Sequence, residues 1–138
     1  MSAQIEPGCA GFVVFSSDHE RVVLVETHRG HLGFPKGKRH KGETLEETAY
    51  RELKEETGLT NTDIIVFPEL GYFDELSNKG NPNIRYYVCH TINDNFNFTF
   101  DEDELKEVKW YDCNTIDELE NLKDSRKLVF NNASQQIC

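Results

Sequence analysis

The sequence predicts a mixed α/β domain from three observations. Two valine-rich apolar runs lie close together at 9–15 and 21–27, a helix-forming segment bounded by cap residues occupies 45–57, and an alternating strand-like run spans 84–92. With 138 residues, 37% of them hydrophobic and 29% charged, the chain suits one globular domain over 1–138 and has too little length for a second core.

Each element follows from local signals. Ser-Ser-Asp-His-Glu separates the first two runs, which read as a hairpin or as two neighbouring strands. A loop is expected over 28–33, and Phe34-Pro35 should be extended because proline biases the residue before it away from helix. Thr44, with Glu47 three residues on, marks a helix start, and Gly58 marks its end. Residues 64–73 are strand-like but interrupted by Pro68, which predicts an edge or a bend, and Ser77-Asn78-Lys79-Gly80-Asn81-Pro82 predicts a loop over 74–83.

In the run 84–92, Ile84, Tyr86, Val88 and His90 fall on one face and Arg85, Tyr87, Cys89 and Thr91 on the other. One of these faces is expected to meet the ligand cavity. A short strand at 108–111 follows the acidic stretch 101–104. Asn114 or Thr115 can cap a helix reaching Leu122, Ser125 can cap a last helix from Arg126, and the polar tail from Asn131 is expected to fray.

Composition narrows the function. A net charge of −10 argues against general, sequence-independent binding to nucleic acid, because phosphate affinity needs a basic surface. No apolar run approaches the roughly 20 residues of a membrane span, and the opening MSAQIEPG lacks a charged region followed by an apolar stretch, so a cytoplasmic protein without a membrane partner is expected. Cys9, Cys89, Cys113 and Cys138 are scattered with no C-x-x-C pair, which predicts reduced structural thiols.

The chemistry is concentrated in residues 37–59, GKRHKGETLEETAYRELKEETGL. On a helix, Glu52, Glu55 and Glu56 stand at i, i+3 and i+4, so three carboxylates share a face and repel one another. A hard divalent cation, Mg²⁺ or Mn²⁺, removes that conflict and can share its shell with phosphate oxygens. Glu46 and Glu47 read as a solvated face. Lys36, Lys38, Arg39, His40 and Lys41 form a basic cluster beside the acidic face, either a phosphate contact surface or a solvated loop. Gly37 and Gly42 allow close approach of a ligand there.

The pattern Gly37, five residues, Glu43, seven residues, then Arg51-Glu52-Leu53-x-Glu55-Glu56-x-Gly58-Leu59 resembles the Nudix hydrolase signature G-x5-E-x7-R-E-U-x-E-E-x-G-U, where U is apolar, at every specified position. The resemblance implies an α/β/α sandwich with a mixed central sheet and a Mg²⁺-dependent hydrolase of nucleoside diphosphates linked to another group. It implies Glu52, Glu55, Glu56 and the backbone carbonyl of Lys36 as metal ligands, with Glu43 and Arg51 orienting loop and helix. The family draws its general base from the box or from a loop outside it. Glu104, six residues before Trp110, is the outside candidate and a further metal ligand, or else a surface acid.

Substrate choice rests outside the box. The stretch 31–41 looks like the H-x-x-x-P-K-G segment of diadenosine tetraphosphate hydrolases, and Lys79-Gly80-Asn81-Pro82 with Arg85-Tyr86-Tyr87 is similar to their K-G-x-P loop and K-Y-aromatic strand. The resemblance favours cleavage of that compound to ATP and AMP, with Lys36, Lys38, Arg39 and Lys41 on phosphates. His31 and Tyr86 or Tyr87 would stack on adenine, unless the tyrosines are ordinary strand packing. Leu32 and Phe34 depart from that pattern, and Gly33-Phe34-Pro35-Lys36-Gly37-Lys38 instead resembles mRNA-decapping Nudix domains, which act on a capped or triphosphorylated RNA end. A diphosphoinositol polyphosphate also suits the basic loop. A non-catalytic Nudix sensor of nucleotides or RNA is the alternative of another class.

Overall fold

The computed structural model describes residues 6–137, so Cys138 and segment 1–5 lie outside it. Strands β1 (Cys9–Phe15) and β2 (Arg21–Thr27) are followed by the short β3 (Leu32–Gly33) and β4 (Lys36–Lys38), helix α1 (Leu45–Thr57) and β5 (Ile64–Val66). After a 3-10 turn at Pro68–Leu70 come β6 (Tyr72–Leu76), β7 (Pro82–Thr91) and β8 (Leu105–Asp112), a second 3-10 turn at Cys113–Glu118, and α2 (Asp124–Ile137).

All eight strands join one sheet in the order β3-β2-β1-β7-β5, with β4 on β1, β6 on β7 and β8 on β2. The β1–β7 pair is parallel and the other pairs antiparallel, so the sheet is mixed. It is buried on both faces, which explains why β1 and β2 read as near-continuous apolar runs. Ala10, Phe12, Val14, Val23 and Val25 face Leu45, Ala49 and Leu53 of α1. Val13, Phe15, Val22 and Leu24 face Val129, Phe130 and Ala133 of α2. Each such valine, leucine or phenylalanine contributes about 1.5–3 kcal/mol on burial. The α/β/α sandwich with a mixed sheet is therefore the architecture of this chain.

Helix α1 begins and ends as its caps predict. Thr44 and Glu47 form a reciprocal capping box, and Gly58 closes the helix at φ 84° with its N–H on the Lys54 carbonyl. Five expectations change. The loop expected over 28–33 gives way at Leu32–Gly33 to β3, which pairs with β2 in the register Glu26 to Leu32 and Val25 to Gly33. Segment 36–38 is a strand rather than loop, because it pairs with β1 in the register Cys9 to Lys38 and Gly11 to Lys36. The expected loop over 74–83 shrinks to a turn at 77–81, since β6 runs on to Leu76 beside β7. The segment after β8 makes only a 3-10 turn, with the Thr115 hydroxyl donating to the Asp112 carbonyl instead of capping a helix. Helix α2 starts at Asp124, before Ser125, and continues to Ile137 because Ala133 and Ile137 pack into the α2-side core, so the tail from Asn131 does not fray there.

No disulfide joins the described cysteines. No helix among the described residues is long and apolar enough to cross a membrane.

Candidate active site

The pairing of β4 with β1 brings residues 36–38 against the flank of α1. A Cβ added at Gly37 would fall on the Glu52 carboxylate, so only glycine admits that carboxylate to the main chain at this point. One residue earlier, the Lys36 N–H donates to Glu56 Oε1 at 3.1 Å. Glu52 and Glu56, one helical turn apart, thus meet the same short strand.

Burial raises the proton affinity of both carboxyls. For Glu56 burial is the largest cause, the Lys36 N–H and ammonium oppose it, Glu52 and Glu104 add to it, and the result is a pKa of about 7. For Glu52 burial again leads, opposed by the Arg51 hydrogen bond and reinforced by Glu55. Burial strips water from these carboxylates, Arg51 faces Glu52 and Lys36 faces Glu56. Hard oxygen donors beside a glycine cradle suit a divalent cation of the Mg²⁺ class.

Arg51 organises the outer side of this cluster. Its Nε and Nη2 grip Glu43 at 2.7 and 3.0 Å, Nη2 also donates to the Lys38 carbonyl at 2.8 Å, and Nη1 reaches Glu52 at 2.8 Å and Glu55 at 3.3 Å. Glu43 in turn accepts from the His40 N–H at 2.8 Å and the Thr48 hydroxyl at 3.0 Å. These partners, Arg51 first, hold its carboxyl down at about 2. Among the described residues no three acidic, histidine or cysteine side chains converge into a ready-made cation cluster. Arg51 engages Glu52 and the half-exposed Glu55 instead.

The remaining candidates divide by position. Glu104 lies exposed in the turn before β8, its N–H on the Asp101 carbonyl, and close enough to Glu56 to raise its pKa. Lys38 and Lys41 are exposed, while Arg39 pairs loosely with Glu6 at 3.5 Å. Arg39 and Tyr87 line one cavity of about 330 Å³ with Glu43, Glu46 and Arg85. Tyr87 is half-buried beside Phe12 and Tyr72. His31 is exposed at the β2–β3 turn, where its N–H meets the Thr27 hydroxyl.

Tyr86 is a correction. Its ring is buried on the α2 side, edge-on to Phe34 at 5.2 Å, and its hydroxyl donates to buried Glu75 at 3.1 Å, so no face is open to a base. Strand packing explains it, and of the two tyrosines only Tyr87 stays eligible for stacking. Leu32 and Phe34 are likewise buried in that core. Gly37 meets Glu52 rather than open space, and Gly42, with φ 87°, serves a turn.

Sequence reasoning missed Thr48, whose buried hydroxyl steadies Glu43 from one of the box's unspecified positions. It also missed Asp74 and Tyr72, which clamp Arg85 beside Tyr87. Asp74 accepts at 2.9 and 3.1 Å, and the guanidinium lies 3.7 Å over the Tyr72 ring. No spacing in the sequence joins these residues.

Solved structures share the fold. The Ap4A hydrolase of C. elegans superposes with a TM-score of 0.78 at 19% identity, over 97% of this chain and 100% of that one. The NUDIX domain of Shewanella oneidensis NrtR, complexed with ADP ribose, gives 0.70 at 19% identity over 100% and 91%. In sequence, the chain is 29% identical over 108 residues to an mRNA-decapping enzyme subunit 2 of Saccharomyces cerevisiae, covering 77% of this chain but 11% of that protein. The chain therefore corresponds to about a ninth of that relative's length. A family model described as NUDIX domain matches residues 7–131. With that match across most of its length, and with the box folded around Glu52 and Glu56, the chain belongs to the Nudix hydrolase family.

Proposed function

We propose that this chain is a cytoplasmic, divalent-metal-dependent pyrophosphohydrolase of nucleoside polyphosphates, cleaving diadenosine tetraphosphate asymmetrically to ATP and AMP. The observation that carries the hydrolytic reading is the meeting of Glu52 and Glu56 with the main chain at Lys36 and Gly37, made possible by a glycine where a Cβ would collide. Glu52, Glu55, Glu56 and the Lys36 carbonyl would hold Mg²⁺ or Mn²⁺. When bound, such an ion supplies polarisation of the phosphorus and activation of water.

The chain's own groups have separate parts. In the metal-free chain Glu56, with its pKa of about 7, can hold or release a proton at neutral pH; Glu56 and the nearby Glu104 are the two candidate bases. Arg51 and Glu43 fix the orientation of Glu52. Lys38, Arg39 and Lys41 present positive charge to a phosphate chain, and Tyr87 and His31 offer rings to adenine. Lys79-Gly80-Asn81-Pro82 and the shared fold of the C. elegans Ap4A hydrolase support the dinucleotide substrate.

A second reading has its own support: Gly33-Phe34-Pro35-Lys36-Gly37-Lys38 and the identity to a decapping subunit favour a capped or triphosphorylated RNA end. The test is a product analysis with Mg²⁺ on diadenosine tetraphosphate, capped RNA and a diphosphoinositol polyphosphate, each with and without EDTA. The dinucleotide should turn over fastest, and only with metal. Preferential decapping would replace the substrate assignment, and binding without turnover of any compound would favour a nucleotide or RNA sensor.

A further inference from the structure

Segment 32–36 links the α2 side of the sheet to the active site, and a buried polar cluster distant in sequence holds its far end. Glu75 points inward from β6 and is only 3% exposed. Its carboxylate accepts from the Tyr86 hydroxyl at 3.1 Å, the Ser125 hydroxyl at 3.1 Å and Arg126 Nε at 3.2 Å. A different corner of the same guanidinium, Nη1, donates to the Leu32 carbonyl at 3.0 Å. A Cβ on Gly33 would approach that nitrogen to 2.9 Å, so the neighbouring glycine leaves the guanidinium its room.

The restraint continues residue by residue toward the site. Phe34 is wedged against Tyr86, Pro35 accepts the Phe12 N–H at 3.1 Å, and Lys36 donates to Glu56. An extended chain rises about 3.3 Å per residue, so five residues fixed at this many points have little slack. Leu32 and Gly33 also pair with Glu26 and Val25 of β2, so Arg126 adds a side-chain grip to one end of a segment whose other end meets Glu56. Buried ion pairs are weak contributors to net stability and are often replaceable by apolar groups. Orientation is the better account of a charge pair in this core, because arginine's rigid fork serves two acceptors at once.

We propose that Arg126, braced by Glu75, is a positioning residue for the hydrolytic site: by gripping the Leu32 carbonyl it sets segment 32–36 and so the placement of the Lys36 main chain against Glu56. Its effect on turnover rests on the hydrolase reading above, whereas its effect on Lys36 does not.

Arg126→Lys keeps the charge near Glu75 but loses the fork. Ser125→Ala removes a bond to the same carboxylate and leaves Leu32 untouched. In metal-free protein, Arg126→Lys should speed hydrogen exchange at the Lys36 amide about tenfold relative to the Leu53 amide, with no such change in Ser125→Ala. Mn²⁺ affinity should weaken about tenfold, and kcat should fall more than KM changes. If Arg126→Lys does not fold, the neutral pair Glu75→Gln/Arg126→Gln takes its place with the same expectations. Unchanged Lys36 exchange in a folded variant, or Lys36 and Leu53 accelerating together, would overturn the proposal. Should the wild type neither bind Mn²⁺ nor hydrolyse any substrate, the hydrolase reading falls while the Lys36 amide still decides the role of Arg126.

Discussion

The two faces of the sheet hold their charges in contrasting ways. On the α1 side, Glu43, Arg51, Glu52 and Glu55 interact across separations of 1 to 8 residues, partly exposed and within one helix and its leading turn. On the α2 side, Glu75 and Arg126 are 51 residues apart, Arg126 and Leu32 are 94 apart, and the pair is almost enclosed. Short-range charge geometry on a helix follows from its period. A long-range buried pair depends on topology and cannot be read from spacing.

The largest expected effect lies on the α1 side. Glu56→Gln keeps the shape and the Lys36 contact but removes the carboxylate, and hydrolysis should fall about a thousandfold, as befits several kcal/mol of lost transition-state stabilisation. Steady-state kinetics at saturating Mg²⁺ checks it. The same carboxyl gives a pH signature. With a folded pKa near 7, protons compete with metal, so apparent Mg²⁺ affinity should rise about tenfold between about pH 6 and pH 8 and level off above. Because this pKa is raised on folding, metal-free protein should lose stability as pH climbs from the ordinary glutamate value, 4.5, to about 7. Calorimetric titration that finds no pH dependence would remove Glu56 from the proposed metal ligands.

Glu43 predicts the opposite slope. Its folded pKa, about 2, lies below the ordinary 4.5, so its contribution to stability is complete above that ordinary value and is lost as pH falls from there toward 2. Arg51→Gln should flatten this acid limb in urea denaturation curves measured across that range. A limb of unchanged slope would show that Arg51 is not what holds Glu43 ionised.

How much of the molecule was legible follows the same division. The capping box, the helix limits and the carboxylate face of α1 were readable because they depend on residues at most a few positions apart. Strand β6 was readable only at Tyr72 and Phe73; beyond them the buried side chain is Glu75 and Leu76 stands about half exposed, which inverts the apolar-in pattern. Alternation put Tyr86 and Tyr87 on opposite faces but did not say which face meets a ligand; the sheet's two covers separate the core tyrosine from the half-buried one. Phe34 and Leu32 looked like departures in a substrate segment, yet both are core residues.

Tyr86→Phe probes the enclosed side more gently. The ring and its contact with Phe34 survive, and Glu75 keeps Ser125 and Arg126, but one buried bond to a carboxylate is lost. A stability loss of about 1.5–3 kcal/mol is expected, with KM for diadenosine tetraphosphate unchanged. A rise in KM without loss of stability would return Tyr86 to the substrate surface.

The smallest effect should come from the most legible device. Thr44→Ala removes the hydroxyl that accepts the Glu47 N–H at 3.1 Å, on an exposed helix end where water can replace it, so thermal denaturation should show a loss of about 1 kcal/mol or less. Neither Glu52 nor Glu56 depends on that bond, and turnover per folded molecule should stay as in the wild type. The comparison with Tyr86→Phe is the informative part, since both variants delete one hydrogen bond and differ in whether water can take its place. If Thr44→Ala costs more than Tyr86→Phe, solvent access does not set the cost, and the division between an exposed, locally specified face and an enclosed, topologically specified one fails.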